Sequence, residues 1–258
     1  MNPTENKGYE RLGKTNVNKY GSKMKIIEYK NINNVVVEFE NGYKRSTDYR
    51  RFLKGSVLNV YDRSVLNIGY LGEGKYSAKK KAKLTLQYIK WAGMLKRCYS
   101  KELHIKEPSY KDCTVCEEWH NLQTFAKWHD ENYYQIEDEV MCLDKDILTK
   151  GNKTYSPDTC IYVPQGINLL FTKRDSERGI LPIGVCLNKR KVQNDNYIAH
   201  VSGLGDGFLG KFKTIEEAFN VYKKHKEQRI KQIADKYKGK IPEKLYDALY
   251  RYEIEITD

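Results

Sequence analysis

The chain contains no run of about 18 consecutive apolar residues, the minimum for a helix that crosses a bilayer. Its mean hydropathy is −0.76 and 31% of its residues are charged, which excludes a membrane protein. The opening stretch MNPTENKGYERLGK lacks the apolar core of a secretory signal. A cytoplasmic protein with reduced cysteines is therefore expected. Gly69, Gly72 and Gly74 lie close together, but no Gly-Lys-Ser/Thr follows, so a P-loop is excluded. There is no internal repeat and no low-complexity tract.

Basic residues dominate what is present. The 258 residues carry a net charge of +12. Residues 1–85 hold 18 Lys/Arg against 8 Asp/Glu, residues 86–175 hold 12 against 14, and residues 176–258 hold 16 against 12. An acidic middle between basic flanks suits a protein that grips a polyanion on both sides of a metal-binding centre.

Along the chain, residues 1–19 read as a polar arm. Met24–Tyr29 and Val35–Phe39 have strand character, and Asn41-Gly42 between them and the next strand signals a hairpin in which both turn residues take positive φ. Phe52, Val57 and Val60 continue the apolar spacing. This predicts a small, bent, SH3-like β module over 20–68, with Lys44, Arg45, Arg50 and Arg51 on its turns and edges as DNA contacts. A Gly/Lys-rich linker is expected over 69–83. Leu84, Tyr88, Trp91, Met94 and Leu95 repeat at helical spacing, and a second helix is expected from Trp119 to about His129. Further on, Gly184–Leu187, Tyr197–Val201 and Leu209–Phe212 read as three strands. Thr214 and Glu217 then form a capping box for a long helix that stops at Gly239, and a short helix follows Pro242.

The stretch with most chemical content is Leu143-Asp144-Lys145-Asp146, then Gly151-Asn152 and Ser156-Pro157-Asp158-Thr159-Cys160, then Ile167-Asn168. It predicts strand, turn-rich loop, strand and a helix from Pro164. An acidic residue closes the first strand, and an Asn lies 24 residues later inside the helix. Together with the lead-in Trp91–Tyr99, Tyr110–Asp112, Val115–Trp119 and Phe125, it resembles the ββα-metal endonucleases of HNH type found in phages and mobile elements. The resemblance covers roughly residues 88–172. It implies that Asp144 and Asn168 hold Mg²⁺ or Mn²⁺, that Asn152 orders the loop, and that the protein cleaves DNA inside a bacterial host cell.

At the position after Asp144, where that family carries its general-base His, this chain has Lys145. An ammonium with an ordinary pKa of about 10.4 is no base at neutral pH. Three assignments are open. Asp146, His120 or His129 serves as base; Lys145 stabilises the charge on phosphorus instead; or the site is catalytically dead and binds DNA or a protein partner. A structural zinc would use Cys113 and Cys116, which have zinc-ligand spacing, with Cys142 and Cys160 from the two strands. Buried thiols are the alternative.

The third unit resembles the Apetala-type DNA-binding domain, through Gly184-Val185, Tyr197-Ile198-Ala199, Leu209–Phe212 and Thr214–Ala218. That likeness implies a sheet laid on duplex DNA, with Lys189, Arg190, Lys191 and Lys211 as contacts. The expected fold is α+β and multi-domain: arm (1–19), SH3-like module (20–68), linker (69–83), HNH-like nuclease domain with flanking helices (84–178), Apetala-like domain of three strands and a long helix (179–238), and helical tail (239–258). The expected function is a DNA endonuclease acting on double-stranded DNA, with no membrane partner. The alternative is a degenerate DNA-binding regulator or counter-defence protein.

Overall fold

A computed structural model describes residues 10–172, 180–188, 196–201 and 207–258. Within these residues the protein is mixed α+β, with several small sheets and seven α-helices. In chain order they are β1 (Thr15–Val17), β2 (Lys23–Asn31), β3 (Asn34–Phe39), β4 (Lys44–Thr47), α1 (Tyr49–Leu53), β5 (Lys79–Lys80), β6 (Lys83–Leu84), α2 (Leu86–Tyr99), α3 (Lys101–Lys106), β7 (Thr114–Val115), α4 (Leu122–Asn132), β8 (Met141–Asp144), β9 (Thr154–Tyr155), β10 (Ile161–Pro164), α5 (Gln165–Asn168), β11 (Val185–Leu187), β12 (Tyr197–His200), β13 (Phe208–Phe212), α6 (Ile215–Lys236) and α7 (Glu243–Tyr250). No described helix is long and apolar enough to cross a membrane.

The chain divides into two compact units. One comprises residues up to Glu131 with Thr154–Ser156; the other comprises Asn132–Lys153 and Pro157–Asp258. In the first, β1–β4 form an antiparallel sheet in sequential order. Met24 and Ile26 alternate inward on β2, as do Val35, Val37 and Phe39 on β3. They meet Tyr49, Phe52 and Val57 in one apolar cluster. Phe52, which continues the apolar spacing within the expected β module, lies on α1. Asp48 caps that helix by accepting the Arg51 N–H, so the local Asp signal outweighs the apolar spacing.

The hairpin at Asn41-Gly42 forms, with a different turn. Phe39 N–H donates to the Tyr43 carbonyl at 2.9 Å, and only Gly42 has positive φ (83°). This is a three-residue loop with glycine in the left-handed position, not a two-residue loop with two such residues. The glycine-rich stretch is packed, not a loose linker. A Cβ on Gly69 would lie 2.4 Å from Leu95, and one on Gly72 would lie 2.2 Å from the Asn121 amide. Gln123 fastens the same stretch by donating to the Leu71 and Tyr76 carbonyls, both at 2.9 Å.

Helix α2 starts at Thr85, whose hydroxyl accepts the Tyr88 N–H, and it buries Trp91, Met94, Leu95 and Cys98 at i, i+3, i+4 and i+7. Trp119 precedes α4 in a 3-10 turn, and α4 buries Leu122, Phe125, Ala126 and His129.

In the second unit β8 and β10 pair antiparallel, with Asp144 opposite Ile161 and Met141 opposite Pro164. Strands β11, β12 and β13 form an antiparallel sheet against which α6 packs. The Thr214–Glu217 capping box is present in both directions. These two parts share one core: Ile147, Ile161, Val163 and Ile167 cluster with Val185, Ala199, Phe219, Tyr222, Ile230, Leu245 and Leu249. The expected divisions at 83/84 and 178/179 are therefore not where the structure separates. The helices of 86–131 group with the β1–β4 sheet, and the β8–β10–α5 element groups with the three-stranded sheet.

Candidate functional site

Met141 and Leu143 face the interior from β8, and Asp144 is its last residue. The chain turns there because one carboxylate oxygen, Asp144 Oδ1, accepts two backbone N–H groups, from Asp146 at 2.9 Å and Ile147 at 2.8 Å. Asp is suited to such a turn because its short side chain reaches the backbone two and three residues on. The second oxygen, Oδ2, accepts no hydrogen bond among the described residues. Burial pushes the Asp144 carboxyl up to about 6, and the negative charge of Asp146 adds to this. The two N–H donors and the Lys145 ammonium pull in the other direction.

Lys145 is a buried side chain, only 8% exposed, and its Nζ lies 3.1 Å from Asp146 Oδ2. Lys145, where the sequence resemblance implies a general base, is thus held in an ion pair. The same pair occupies one oxygen of Asp146, the first substitute for the base. Asn152 donates from Nδ2 to the Lys145 carbonyl at 2.7 Å, closing the loop from Lys145 to Asn152 into a ring. Asp144, Lys145, Asp146 and Asn152 are therefore assembled in one turn. Asn168 ends α5, which packs on β8.

His120 and His129 lie in the other compact unit. The His120 ring meets Tyr99 edge-on with centroids 6.3 Å apart, and burial lowers its pKa. His129 is buried on the inner face of α4, with Nδ1 3.4 Å from Asp130 Oδ1. Burial again lowers its pKa, more than Asp130 raises it.

Sequence reading missed a strap that holds the loop. Lys150 Nζ donates to the Glu253 carbonyl at 2.9 Å and pairs with Asp258 at 2.7 Å. It also sits over the Tyr252 ring, 5.5 Å from the centroid. Tyr252 packs on Phe171, with centroids 4.6 Å apart. Burial, then the charges of Asp258, Asp146 and Asp144, push the Tyr252 phenol up, so it stays protonated as a donor. Helix α6 fixes the strap from its other side. Lys223 donates to the Ile254 carbonyl at 2.8 Å, and Glu227 accepts the Ile254 N–H at 2.8 Å. No local pattern signals these contacts, because Lys150 and Glu253 are 103 residues apart.

No group of three or more His, Cys, Asp or Glu converges among the described residues. Carboxylate and amide oxygens are the donor types that Mg²⁺ takes, one or two from protein with water and substrate phosphate completing the shell. The cysteines fit zinc poorly. Cys142 pairs with Val163, whereas Cys160 precedes Ile161, three residues along the partner strand. That offset is about 10 Å, too far for two thiolates on one ion with bonds of about 2.3 Å. Cys113 is buried and Cys116 half-buried in the other unit.

Of the basic residues expected on DNA, Lys44, Arg50 and Arg51 are exposed, with Lys44 3.5 Å from Glu38 and Arg51 3.3 Å from Asp48. Arg45 is half-buried and donates to the Leu58 carbonyl at 2.9 Å, a packing role. Lys211 is exposed on β13 opposite Ile198. Lys189, Arg190 and Lys191 lie outside the described residues. No family model, no curated protein and no solved structure matches this chain.

Proposed function

We propose that the protein is a DNA-binding endonuclease of HNH type. The observation that carries this reading is the turn after β8. Asp144 closes a strand with one oxygen spent on the turn and the other left for a cation, Asn152 clasps the carbonyl of the next residue, and the strand–loop–strand continues into a helix ending at Asn168. Asp144 and Asn168 would hold Mg²⁺ or Mn²⁺. Such an ion supplies Lewis-acid stabilisation of the phosphate and its leaving oxygen. Asn152 keeps the loop in shape, and Lys145 keeps a positive charge beside Asp146. Tyr252 supplies a protonated phenol near the two carboxylates. The β1–β4 sheet reads as an SH3-like module and β11–β13 with α6 as an Apetala-like one, both basic surfaces for duplex DNA.

The Lys145–Asp146 ion pair favours a second reading, in which the site no longer cuts and the protein acts as a DNA-binding regulator or a counter-defence protein. The discriminating experiment is plasmid nicking in Mg²⁺ or Mn²⁺ by wild type and Asp144→Ala. Nicking by wild type, lost in Asp144→Ala and in EDTA, supports the endonuclease. Salt-dependent DNA binding without nicking supports the degenerate binder. Absence of both removes DNA as the partner and leaves the protein-partner variant.

A further inference from the structure

The β1–β4 unit carries an open recess of about 630 Å³, lined by Asn41, Gly42, Tyr43, Lys44, Tyr61 and Glu73. Two of its lining residues, Tyr43 and Tyr61, are aromatic and belong to a larger ring cluster. Tyr43 stacks on Phe39 at 6.0 Å and meets Tyr61 nearly at right angles at 6.1 Å, while Tyr61 meets Tyr70 at 6.2 Å. Tyr61 is 42% exposed, so part of its ring is open to a guest. Two polar side chains face the recess with one donor and one acceptor in reserve. Asn41 Oδ1 already accepts the Tyr43 N–H and the Asn59 amide, both at 3.3 Å, which leaves Asn41 Nδ2 to donate. Glu73 Oε1 accepts the Tyr61 hydroxyl at 2.7 Å, which leaves Oε2 to accept. Lys44 lies at the rim, exposed and 3.5 Å from Glu38. Nothing approaches within 4 Å of the Cβ position at Gly42, so the mouth is open.

We infer that this recess takes an unpaired nucleobase of a single-stranded nucleic acid, stacked on Tyr43 or Tyr61. Bases in an intact duplex offer no free face, so the ligand differs from the duplex already proposed, and the inference stands independently of metal or cleavage. Aromatic rings supply sequence-tolerant stacking. The Asn41 amide and the Glu73 carboxylate match the donor and acceptor groups on a base edge, and Lys44 suits the adjoining phosphate. A cationic occupant, the other common guest of aromatic pockets, is disfavoured by charge. Lys44 and Glu73 offset each other at the recess, but residues 10–68 around it hold 12 Lys/Arg against 6 Asp/Glu.

The test is photocrosslinking of the full chain to a single-stranded oligonucleotide carrying one 5-iodouracil, mapped by mass spectrometry, with binding measured by fluorescence anisotropy. The expected result is a crosslink on Tyr43 or Tyr61. Tyr61→Ala should weaken single-strand binding by about tenfold and leave duplex binding unchanged, while Tyr61→Phe keeps most of the single-strand affinity. Crosslinks confined to other residues, an equal loss on duplex, or uptake of a trimethyllysine peptide in place of the oligonucleotide would overturn the inference. The crosslink is read on wild type, so it decides the matter even if a variant fails to fold.

Discussion

Replacing Asp144 by Asn should stabilise the metal-free protein at alkaline pH. Burial and the neighbouring Asp146 raise the Asp144 carboxyl from an ordinary 3.8 to about 6. The folded state thus holds a proton on this group more tightly than the unfolded chain does. The contribution to stability is fully present below about pH 4 and is lost as pH rises through 6. By pH 8 the ionised carboxylate costs about 2–3 kcal/mol, from roughly two pH units at about 1.4 kcal/mol each. Asparagine keeps the oxygen that accepts the Asp146 and Ile147 N–H groups but carries no charge. Urea unfolding in EDTA at pH 4 and pH 8 measures the effect. Asp144→Asn should gain most of that 2–3 kcal/mol at pH 8 and little at pH 4. Mg²⁺ should stabilise wild type more than the variant. Destabilisation at pH 8, or a change of equal size at both pH values, would refute the electrostatic reasoning.

Asn152→Ala removes the 2.7 Å bond to the Lys145 carbonyl and should cost about 1–2 kcal/mol. Hydrogen exchange over residues 145–152 should accelerate while β11–β13 keeps its protection. Ala82→Gly should stabilise by about 0.5–1 kcal/mol, because Lys81 and Ala82 hold φ of 48° and 64° in the β5–β6 turn, and a raised melting temperature is the readout. Gly184→Ala should destabilise by about 2–4 kcal/mol, since Gly184 has φ of 79° and an added Cβ would lie 2.0 Å from the Tyr222 ring. A neutral effect in thermal unfolding would contradict that packing.

Signals that act over a few residues were legible in the sequence. The Thr214–Glu217 box, the hairpin at Gly42 and the turn after Asp144 each depend on side chains reaching their own neighbouring backbone. Periodicity showed which face of α2 is buried, but a buried face does not name the surface that receives it. That is why the helices of 86–131 were expected with the β8–β10 element, whereas they group with the β1–β4 sheet. Gly69, Gly72 and Gly74 looked like slack chain because the side chains that need their smallness, Leu95, Asn121 and Gln123, are distant in sequence. The buried state of Lys145 was likewise unreadable, since it depends on the loop geometry that Asn152 closes.

The strap from Lys150 to Glu253 and Asp258 also dictates an order of events during synthesis. The partners that steady the Asp144–Asn152 loop are made about a hundred residues after it. A nascent chain that has produced both candidate metal ligands still lacks the residues that anchor the loop after Asp144. Closing so long a segment is entropically slow compared with forming the local hairpins. The most hazardous chemistry proposed for this molecule would therefore be the last to mature, after the surfaces proposed to hold DNA have folded.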